Sequence, residues 1–498
     1  MIKKILIANR GEIAVRIIRT CHEMGIEAIA VFSEADETSL HVQLADNAVC
    51  IGPPSSTESY LRIDKIIEAA RTFGAEAIHP GYGFLSERSE FAEACEEAGL
   101  IFIGPKGDAM RKMGDKLSAR EIAQKGNVPI VPGSEGALAD SQEAHEYAEK
   151  IGYPVILKAS AGGGGKGMRL VRDPAELARS FQRASSEASA AFGDPTVYVE
   201  KYIEQPRHIE IQILADRHGN VVHLGERECS VQRRHQKLIE ETPSAVVDEE
   251  LRNSIGNAAV EVAKGCGYYN AGTVEFMLDR YGKYYFLEMN ARLQVEHPVT
   301  EMVTGIDLVK EQIRVAAGEK LPFEQKDIIR KGSAIEARIY AEDADNNFAP
   351  CPGTVTHLLW PGGPGVRVDG GIYSGYSVPL EYDPLLAKLT VWAENRPAAI
   401  DRMRRALREM RIGGITTSAA FVRRIIDHED FVTGNYDTHF LDTKKDELPR
   451  REDFDAPIVA AMSADALKKS ATKNNGPRPD AASKWKMIGR MNGLFGGR

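Results

Sequence analysis

Three side chains in the middle of the sequence carry oxygen atoms that suit a divalent cation. Glu275 lies in the run TVEFML, and Glu288 and Asn290 lie in the run YYFLEMNARLQVEHPVTE. Proteins usually bind Mg²⁺ through one or two carboxylates together with the phosphates of a substrate. No His and Cys residues recur at the spacing of a zinc site. The sequence therefore predicts a magnesium site at Glu275, Glu288 and Asn290.

Polar residues alternate with mostly apolar ones along the second of these runs. In an extended segment, a period of two sends side chains to one face. We predict a strand that continues to residue 296 and whose polar face is the floor of a pocket, although a solvated face would alternate in the same way. The polar face comprises Glu288, Asn290, Arg292, Gln294 and Glu296. The run PRHIEIQIL repeats the pattern with His208, Glu210 and Gln212.

The stretch KASAGGGGKGM, residues 158–168, has the composition of a loop that grips phosphate. It is not a P-loop, because Ser160 and Gly167 occupy positions where that motif needs a glycine and a Ser or Thr. The flanking runs YPVILK and MRLVRD both have strand patterns. We therefore predict a hairpin whose glycine tip closes over phosphates. A flexible hairpin without a ligand is the alternative.

A cluster of basic and polar residues lies in ERECSVQRRHQK. It comprises Gln232, Arg233, Arg234, His235 and Lys237. Such a cluster is more often a solvated face than a binding site.

The elements that must position these groups begin with a strand, helix and strand. The runs KKILIAN, GEIAVRIIRTCHEMG and EAIAVFS have these patterns, and EAIHPGYG repeats the strand-to-loop signal. This opening predicts a doubly wound α/β unit. The turn ANRGE has one glycine where a dinucleotide fingerprint needs three, which argues against a dinucleotide cofactor.

Length and charge narrow the class of protein. A chain of 498 residues with 43% hydrophobic content predicts two to four packed units. A net charge of −9 gives no general attraction to nucleic acid or to an acidic membrane. The six cysteines are far apart and the N-terminus has no signal or membrane-spanning pattern, so we expect buried free thiols and a cytoplasmic protein.

The chain resembles the biotin carboxylase subunit of biotin-dependent carboxylases, a member of the ATP-grasp superfamily. The resemblance extends over residues 1 to about 445 in the order of the family. It is carried by ANRGEIAVRIIR, HPGYGFLSE, GDK, KASAGGGGKGMR, EKYIEQPRHIEIQ, ERECSVQRRHQK, EMNARLQVEHPVTE and EARIYAED.

The resemblance implies an α/β fold of three domains and a tail. The N-terminal doubly wound, pre-ATP-grasp domain would be residues 1–114. The ATP-grasp core and lid would be residues 115–330, with the lid at about 131–203. A C-terminal α+β biotin carboxylase domain would be residues 331–446. Residues 447–498 would be a polar tail with a possible docking segment.

The resemblance also implies the substrate sites. ATP would bind with Mg²⁺ or Mn²⁺ held by Glu275, Glu288 and Asn290. The residues expected to contact ATP are Lys116, Lys158, Gly163, Gly164, Gly165, Glu200, Lys201, Ile203, His208, Gln232 and His235, the last two with the biotin ring as another possible partner. Bicarbonate would contact Lys237, Arg292, Gln294 and Val295. Biotin would contact Tyr82, Gly83 and Arg338. Catalysis would use Glu296 as base together with Arg338, Lys237 and Arg292.

The implied reaction is ATP-dependent carboxylation of biotin through carboxyphosphate. The biotin attachment signature is absent, so biotin is expected on a separate biotin carboxyl carrier protein, and the carboxyltransferase is expected on a further separate chain. We also expect a homodimer through surfaces that include Arg19, Glu23 and Arg367. The final acceptor, whether acetyl-CoA, another acyl-CoA, pyruvate or 2-oxoglutarate, is left open. The alternatives are another ATP-grasp ligase joining a carboxylate to an amine, and a catalytically silent nucleotide-binding subunit.

Overall fold

The chain begins with a parallel sheet flanked by helices. The computed structural model describes residues 2–134, 136–159, 168–192, 194–234 and 236–448. The strands of the first sheet are β1 (Lys4–Ile7), β2 (Glu27–Ser33), β3 (Asn47–Gly52), β4 (Ala77–His79) and β5 (Ile101–Phe102). Their order is β3-β2-β1-β4-β5, and all neighbours are parallel. This order is that of a doubly wound unit and confirms the prediction for the N-terminal fold.

Helices connect these strands and continue beyond them. They are α1 (Gly11–Glu23), α2 (Leu40–Leu44), α3 (Ile63–Phe73), α4 (Ser89–Glu97), α5 (Gly107–Gly114) and α6 (Lys116–Lys125). Helix α1 buries Ile13, Ile17 and Ile18, which recur at helical spacing on the side that faces the sheet.

A small antiparallel unit follows and contains the glycine-rich segment. Its elements are α7 (Ser141–Ile151), β6 (Val155–Ala159), β7 (Met168–Val171), α8 (Pro174–Phe192) and β8 (Val197–Lys201). Strand β6 pairs with β7 on one side and with β8 on the other. The two strands that flank the glycine segment are therefore antiparallel neighbours, as the hairpin prediction requires. Residues 160–167 themselves lie outside the described residues.

A second sheet of eight strands carries most of the predicted site. Its order is β13-β12-β9-β10-β11-β14-β21-β19, and its pairings are antiparallel. The strands are β9 (Arg207–Ala215), β10 (Val221–Arg233), β11 (Gln236–Thr242), β12 (Asn270–Leu278), β13 (Tyr284–Asn290), β14 (Ser333–Tyr340), β19 (Val366–Gly370) and β21 (Leu385–Ala393). Because β14 pairs with β11, the sheet runs across the predicted boundary at residue 330.

Helices and short strands complete the second half. The helices are α9 (Glu249–Gly265), α10 (His297–Thr304), α11 (Leu308–Ala316), α12 (Arg396–Glu409), α13 (Ala419–Asp427), α14 (Glu429–Thr433) and α15 (Phe440–Thr443). The short strands are β15 (Glu342–Asp343), β16 (Ala349–Pro350), β17 (Gly353–Thr354), β18 (His357–Leu359), β20 (Ser377–Val378) and β22 (Arg411–Gly413). Among the described residues, no helix has the length and apolar character needed to cross a membrane.

Buried apolar side chains join the two large sheets. Leu6 and Ile78 of the first sheet belong to the same packed cluster as Ile209 and Val274 of the second. Burial of apolar surface is the main favourable contribution to folding, so this shared core fixes the positions of the two sheets relative to each other. All six cysteines are free, but Cys50 is exposed and Cys351 is half-buried, which corrects the expectation that all the thiols are buried.

The predicted long strand ends earlier than its polar pattern suggested. Strand β13 stops at Asn290, which is paired with Thr273, and the chain then turns. Glu296 directly precedes α10, whose first turn contains Pro298. Proline is tolerated in the first helical turn, where its missing N–H has no intrahelical partner. The extended prediction for residues 291–296 is therefore wrong.

Candidate active site

A cavity of about 1400 Å³ lies between the first sheet, the small antiparallel unit and the second sheet. Most of the predicted site residues within the described part of the chain line it. These are Tyr82, Gly83, Lys116, Lys158, Glu200, Lys201, Ile203, His208, Gln232, Lys237, Glu275, Glu288, Asn290, Arg292, Gln294, Val295 and Arg338. Glu296 is fully buried directly behind this lining. Gly163, Gly164, Gly165 and His235 lie outside the described residues.

The N-terminal sheet contributes the loops at its topological switch point. The chain leaves β1 through Asn9 and leaves the neighbouring β4 through Pro80, and β1 and β4 continue to opposite sides of the sheet. The Asn9 Nδ2 atom donates to the carbonyls of Pro80 and Tyr82, each at 2.7 Å. In doubly wound sheets, ligands bind outside the carboxyl ends of the strands at this point. The fold thus places Tyr82 and Gly83 at the edge of the cavity.

The residues predicted to bind a cation lie on paired strands. Glu275 of β12 is the direct cross-strand partner of Glu288 of β13, so both side chains leave the same face of the sheet. Asn290 Nδ2 donates to Glu275 Oε1 at 2.8 Å. Burial and the neighbouring Glu275 carboxylate raise the pKa of Glu288. Two carboxylates that oppose each other's ionisation in this way, at the wall of a cavity, fit a bound Mg²⁺.

Lys237 is the centre of a buried cluster of carboxylates. Its Nζ atom donates to Glu210 and Glu296, each at 2.6 Å, and lies 3.4 Å from Glu275 Oε1. Burial would lower the pKa of Lys237, but the three carboxylates raise it well above its ordinary value. The ammonium group therefore stays charged and compensates Glu210 and Glu296 most closely. Glu275 is farther from it and lies opposite Glu288, which makes this pair the better cation site.

Glu296 is held ionised between Lys237 and Arg338. Arg338 Nη2 donates to Glu296 Oε2 at 2.9 Å, opposite the contact with Lys237. Burial alone would raise the pKa of Glu296, but the two cations, together with Arg227, hold it well below its ordinary value. Glu296 is thus a carboxylate that can accept a proton, provided that a bound anion draws its cationic partners away.

Arg292 lies beside this cluster with its guanidinium spread over several acceptors. Its Nε donates to Glu87 at 2.8 Å, and its Nη1 donates to Gln294 Oε1 at 2.9 Å. The Gln294 amide in turn donates to Glu275 Oε1 at 3.1 Å. The planar donor pattern of an arginine matches a planar oxyanion.

Several groups predicted to bind the nucleotide lie on the small antiparallel unit, which forms another part of the cavity wall. Lys158 Nζ donates to Glu200 Oε2 at 2.5 Å, and Arg120 bonds to the other oxygen of the same carboxylate. The ammonium group of Lys201 is also bonded within this unit, because its Nζ donates to the carbonyls of Gly152 and Tyr153, each at 2.9 Å. A phosphate that bound to Lys158 would therefore compete with Glu200.

His208, a predicted nucleotide ligand, contacts the carboxylate cluster around Lys237. Its Nε2 atom lies 2.8 Å from Glu275 Oε2. Burial would lower the pKa of His208, but the Glu275 carboxylate raises it.

Several buried charges were not foreseen as part of the site. Arg227 is fully buried, bonds to Glu210 and donates to Gln212 and Thr300 at 2.6 and 3.0 Å. Lys388, from β21, donates to the carbonyl of Val295 at 2.9 Å. Glu240 of β11 contacts Arg338 Nε at 2.5 Å. Period-two alternation predicted Glu210 on the polar face of its strand, but nothing local distinguishes Arg227, Lys388 or Glu240 from surface charges.

One predicted dimer contact is engaged within its own chain. Arg367 donates to Glu301 at 2.6 Å and to Asp369 at 2.8 Å, whereas Arg19 and Glu23 are exposed on α1.

Comparison with protein families gives three consecutive matches. Residues 1–110 match the N-terminal domain of biotin carboxylase, and residues 336–443 match its C-terminal domain. Residues 115–324 match the ATP-binding domain of the carbamoyl-phosphate synthase L chain.

Two related proteins match the sequence of this chain along nearly their whole lengths. A biotin carboxylase of Nostoc sp. is 58% identical, over 88% of this chain and 98% of the relative. Biotin carboxylase 1 of Bacillus subtilis is 56% identical, over 89% of this chain and 99% of the relative.

Solved structures agree in fold and sequence. One is the biotin carboxylase domain dimer of the 2-oxoglutarate carboxylase of Hydrogenobacter thermophilus, in complex with MgADP, ADP and bicarbonate. It is 49% identical with a TM-score of 0.83 and covers 91% of this chain and 100% of its own. A biotin carboxylase of Campylobacter jejuni in complex with β-γ-ATP is 51% identical, also with a TM-score of 0.83, and covers 89% of this chain and 99% of its own. With three domains in the family order, matching strands and relatives of more than half identity, the chain belongs to the biotin carboxylase family.

Proposed function

We propose that this protein carboxylates biotin with bicarbonate, using ATP, and that carboxyphosphate is the intermediate. The observation that carries the proposal is the buried series Lys237, Glu296 and Arg338, in which a carboxylate base lies between two cations at the wall of the cavity. This arrangement suits an anionic substrate that must lose a proton. It does not suit an amine substrate, which the cations would repel, or a silent nucleotide-binding protein, which has no need of a base.

The first step would activate bicarbonate. Bound by Lys237, Arg292, Gln294 and the backbone of Val295, bicarbonate would draw Lys237 away from Glu296 and so raise the basicity of that carboxylate. Glu296 would take the bicarbonate proton, and the bicarbonate oxygen would form a bond to the γ-phosphorus while the bond to the ADP oxygen breaks. Lys116 and Lys158 would orient the phosphates as point charges. Glu275, Glu288 and Asn290 would hold Mg²⁺, which when bound offsets charge on the transferred phosphoryl group.

The second step would move carbon dioxide to biotin. Carboxyphosphate would break into CO₂ and phosphate, and the phosphate would take the proton from N1 of biotin. The Arg338 guanidinium would stabilise the enolate oxygen that forms, a task in which one donor contributes roughly 3 kcal/mol. Tyr82 and Gly83 would contact the ring. The nitrogen would then form its bond to CO₂ in a cavity shielded from water.

The proposed partners follow from the family. Biotin would arrive on a carrier protein, a carboxyltransferase would use the product, and the protein would form a homodimer, as the related 2-oxoglutarate carboxylase domain does. The domain limits 1–114, 115–330 and 331–446 and the docking role of the tail remain predictions, and residues 449–498 lie outside the described residues. A cytoplasmic location also remains a prediction, made from the cysteine usage.

The test is ATP cleavage by the purified chain with Mg²⁺, with and without bicarbonate and free biotin, while carboxybiotin is measured in parallel. We expect carboxybiotin only when all three substrates are present. Glu296→Ala should lose bicarbonate-dependent ATP cleavage, and Arg338→Ala should lose carboxybiotin. Cleavage that is indifferent to bicarbonate and biotin would refute the proposal.

A further inference from the structure

Arg338 is held by two carboxylates that bind different nitrogens of its guanidinium. Its Nε donates to Glu240 at 2.5 Å and its Nη2 donates to Glu296 at 2.9 Å, while its Nη1 lies 3.4 Å from the Tyr340 hydroxyl. Both carboxylates are fully buried, and the Arg338 side chain is nine-tenths buried. Charge-assisted bonds of this kind are stronger than neutral ones and fix the orientation of the guanidinium.

The two anchors differ in what happens to them during the reaction. Under the proposed function, Glu296 accepts the bicarbonate proton, and its attraction for Arg338 falls when its charge is lost. Biotin must then find Arg338 still aimed at its carbonyl oxygen. Under the proposed function Glu240 receives no proton, and its side chain is fully buried. It is therefore the anchor whose charge the proton transfer itself does not remove.

We propose that Glu240 is a positioning residue that holds Arg338 in place for the biotin half of the reaction while Glu296 carries the proton. The inference deepens the proposed function and rests on it. Sheet geometry supports it, because Glu240 of β11 is paired directly with Glu336 of β14 and Arg338 lies two residues further along β14. The three side chains thus leave the same face of the sheet, with Arg338 within diagonal reach of Glu240.

The surroundings of Glu240 make its hold on Arg338 sensitive to pH. It is faced by Arg338 and Glu336 from β14, by Glu296 from the turn before α10 and by Lys237 from its own strand. On β21, Thr390 donates to Glu336 at 2.8 Å, and Lys388 acts on Glu336 electrostatically. Burial, opposed by Arg338, raises the pKa of Glu240 to about 7. Below that pH, Glu240 is protonated and holds Arg338 more weakly, so carboxylation should rise with pH through this range.

Glu336 provides a matched control. It is as fully buried as Glu240 and directly opposite it, but none of its hydrogen bonds in the described residues goes to Arg338. Burial raises the pKa of Glu336 well above its ordinary value. Glu336→Gln therefore keeps the shape of the side chain and changes a buried carboxyl that makes no bond to Arg338 in the described part of the chain.

The experiment compares Glu240→Gln, Glu240→Asp and Glu336→Gln in the full chain. Two quantities are measured for each variant: the rate of ATP cleavage in the absence of biotin, and the amount of carboxybiotin formed per ATP cleaved when biotin is present. Glu240→Gln should keep biotin-independent cleavage within about threefold but lower carboxybiotin per ATP by roughly 10- to 100-fold, the range for a misplaced oxyanion donor. Its rise of carboxylation with pH near 7 should disappear. Glu240→Asp should recover part of the coupling, and Glu336→Gln should resemble the unchanged protein in coupling and pH profile.

Three results would overturn the inference: unchanged coupling in Glu240→Gln, an unchanged pH profile in that variant, or an equal loss in Glu336→Gln. If Glu240→Gln fails to fold, Glu240→Asp is the test, since it keeps the charge and shortens the side chain. Carboxybiotin formation per ATP equal to that of the unchanged protein in this variant would refute the positioning role of Glu240. Failure of the unchanged protein to make carboxybiotin would refute the proposed function instead, so the two failures are distinguishable.

Discussion

Lys388→Met should destabilise the protein far more than a typical lysine substitution, because the ammonium group joins three distant segments. The side chain is fully buried, and its Nζ lies 3.2 Å from Glu12 Oε2 on α1 and 2.9 Å from the carbonyl of Val295. The other oxygen of Glu12 accepts a hydrogen bond from the Tyr82 hydroxyl. Methionine fills a similar volume, so the variant removes the charge and leaves the packing.

The magnitude follows from the charge that is left behind. At 3.2 Å, two unit charges attract by about 5 kcal/mol with an effective dielectric constant of 20. Desolvation offsets most of this attraction, but removal of one partner from a buried pair leaves the other uncompensated and costs about 3–5 kcal/mol. Burial raises the pKa of Glu12 while Lys388 lowers it, so the variant should raise that pKa further.

The assay is urea unfolding at several pH values. When a carboxyl group has a higher pKa in the folded protein than in the unfolded chain, the stability of the protein falls as pH rises between the two values. Lys388→Met should therefore be least impaired near pH 5 and most impaired near pH 8. Adding Glu12→Gln should recover at least about 1 kcal/mol, since the orphaned charge is then gone.

A surface substitution of the same kind is the control. Lys264 Nζ lies 3.0 Å from Glu261, but both side chains are half exposed. Lys264→Met should change the free energy of unfolding by less than about 0.5 kcal/mol. The reasoning fails if Lys388→Met also stays within about 1 kcal/mol of the unchanged protein, or if its loss is the same at pH 5 and pH 8.

Two further predictions address the cation site and the contact between α1 and the residue that follows β19. Glu288→Gln should raise the Mg²⁺ concentration for half-maximal ATP cleavage at least roughly tenfold, because it removes one carboxylate of the pair. Glu261→Gln, on the surface, is the control and should leave this concentration unchanged. An equal Mg²⁺ dependence in the two variants would exclude Glu288 as a ligand. Gly371→Ala should cost about 1–3 kcal/mol in thermal or urea unfolding, because a Cβ there would lie 2.9 Å from the backbone nitrogen of Glu12. Gly362→Ala, whose Cβ would have nothing within 4 Å, is its control, and equal stabilities would refute the clash.

The sequence alone determined the features that depend on local patterns. The first strand–helix–strand unit, the strands on both sides of the glycine-rich segment and the strand with polar residues at every second position from His208 to Gln212 all follow from periodicity and composition. Motifs in family order were enough to predict the architecture and the side chains that now line one cavity. Residue type also predicted that Glu275 and Glu288 suit a cation, since oxygen ligands are a property of the side chain itself.

Tertiary structure decided which charges face one another. Strand β13 ends at Asn290 because its ladder with β12 ends there, and so Glu296 reaches Lys237 and Arg338 from the start of a helix rather than from a strand face. Glu240 and Lys388 looked like ordinary surface charges until the eight-stranded sheet placed them against Arg338 and Val295. Such pairings join residues tens to hundreds of positions apart, and burial then decides their strength. Periodicity indicates only which face of one element is polar. No local pattern in the sequence therefore predicts these pairings or their burial.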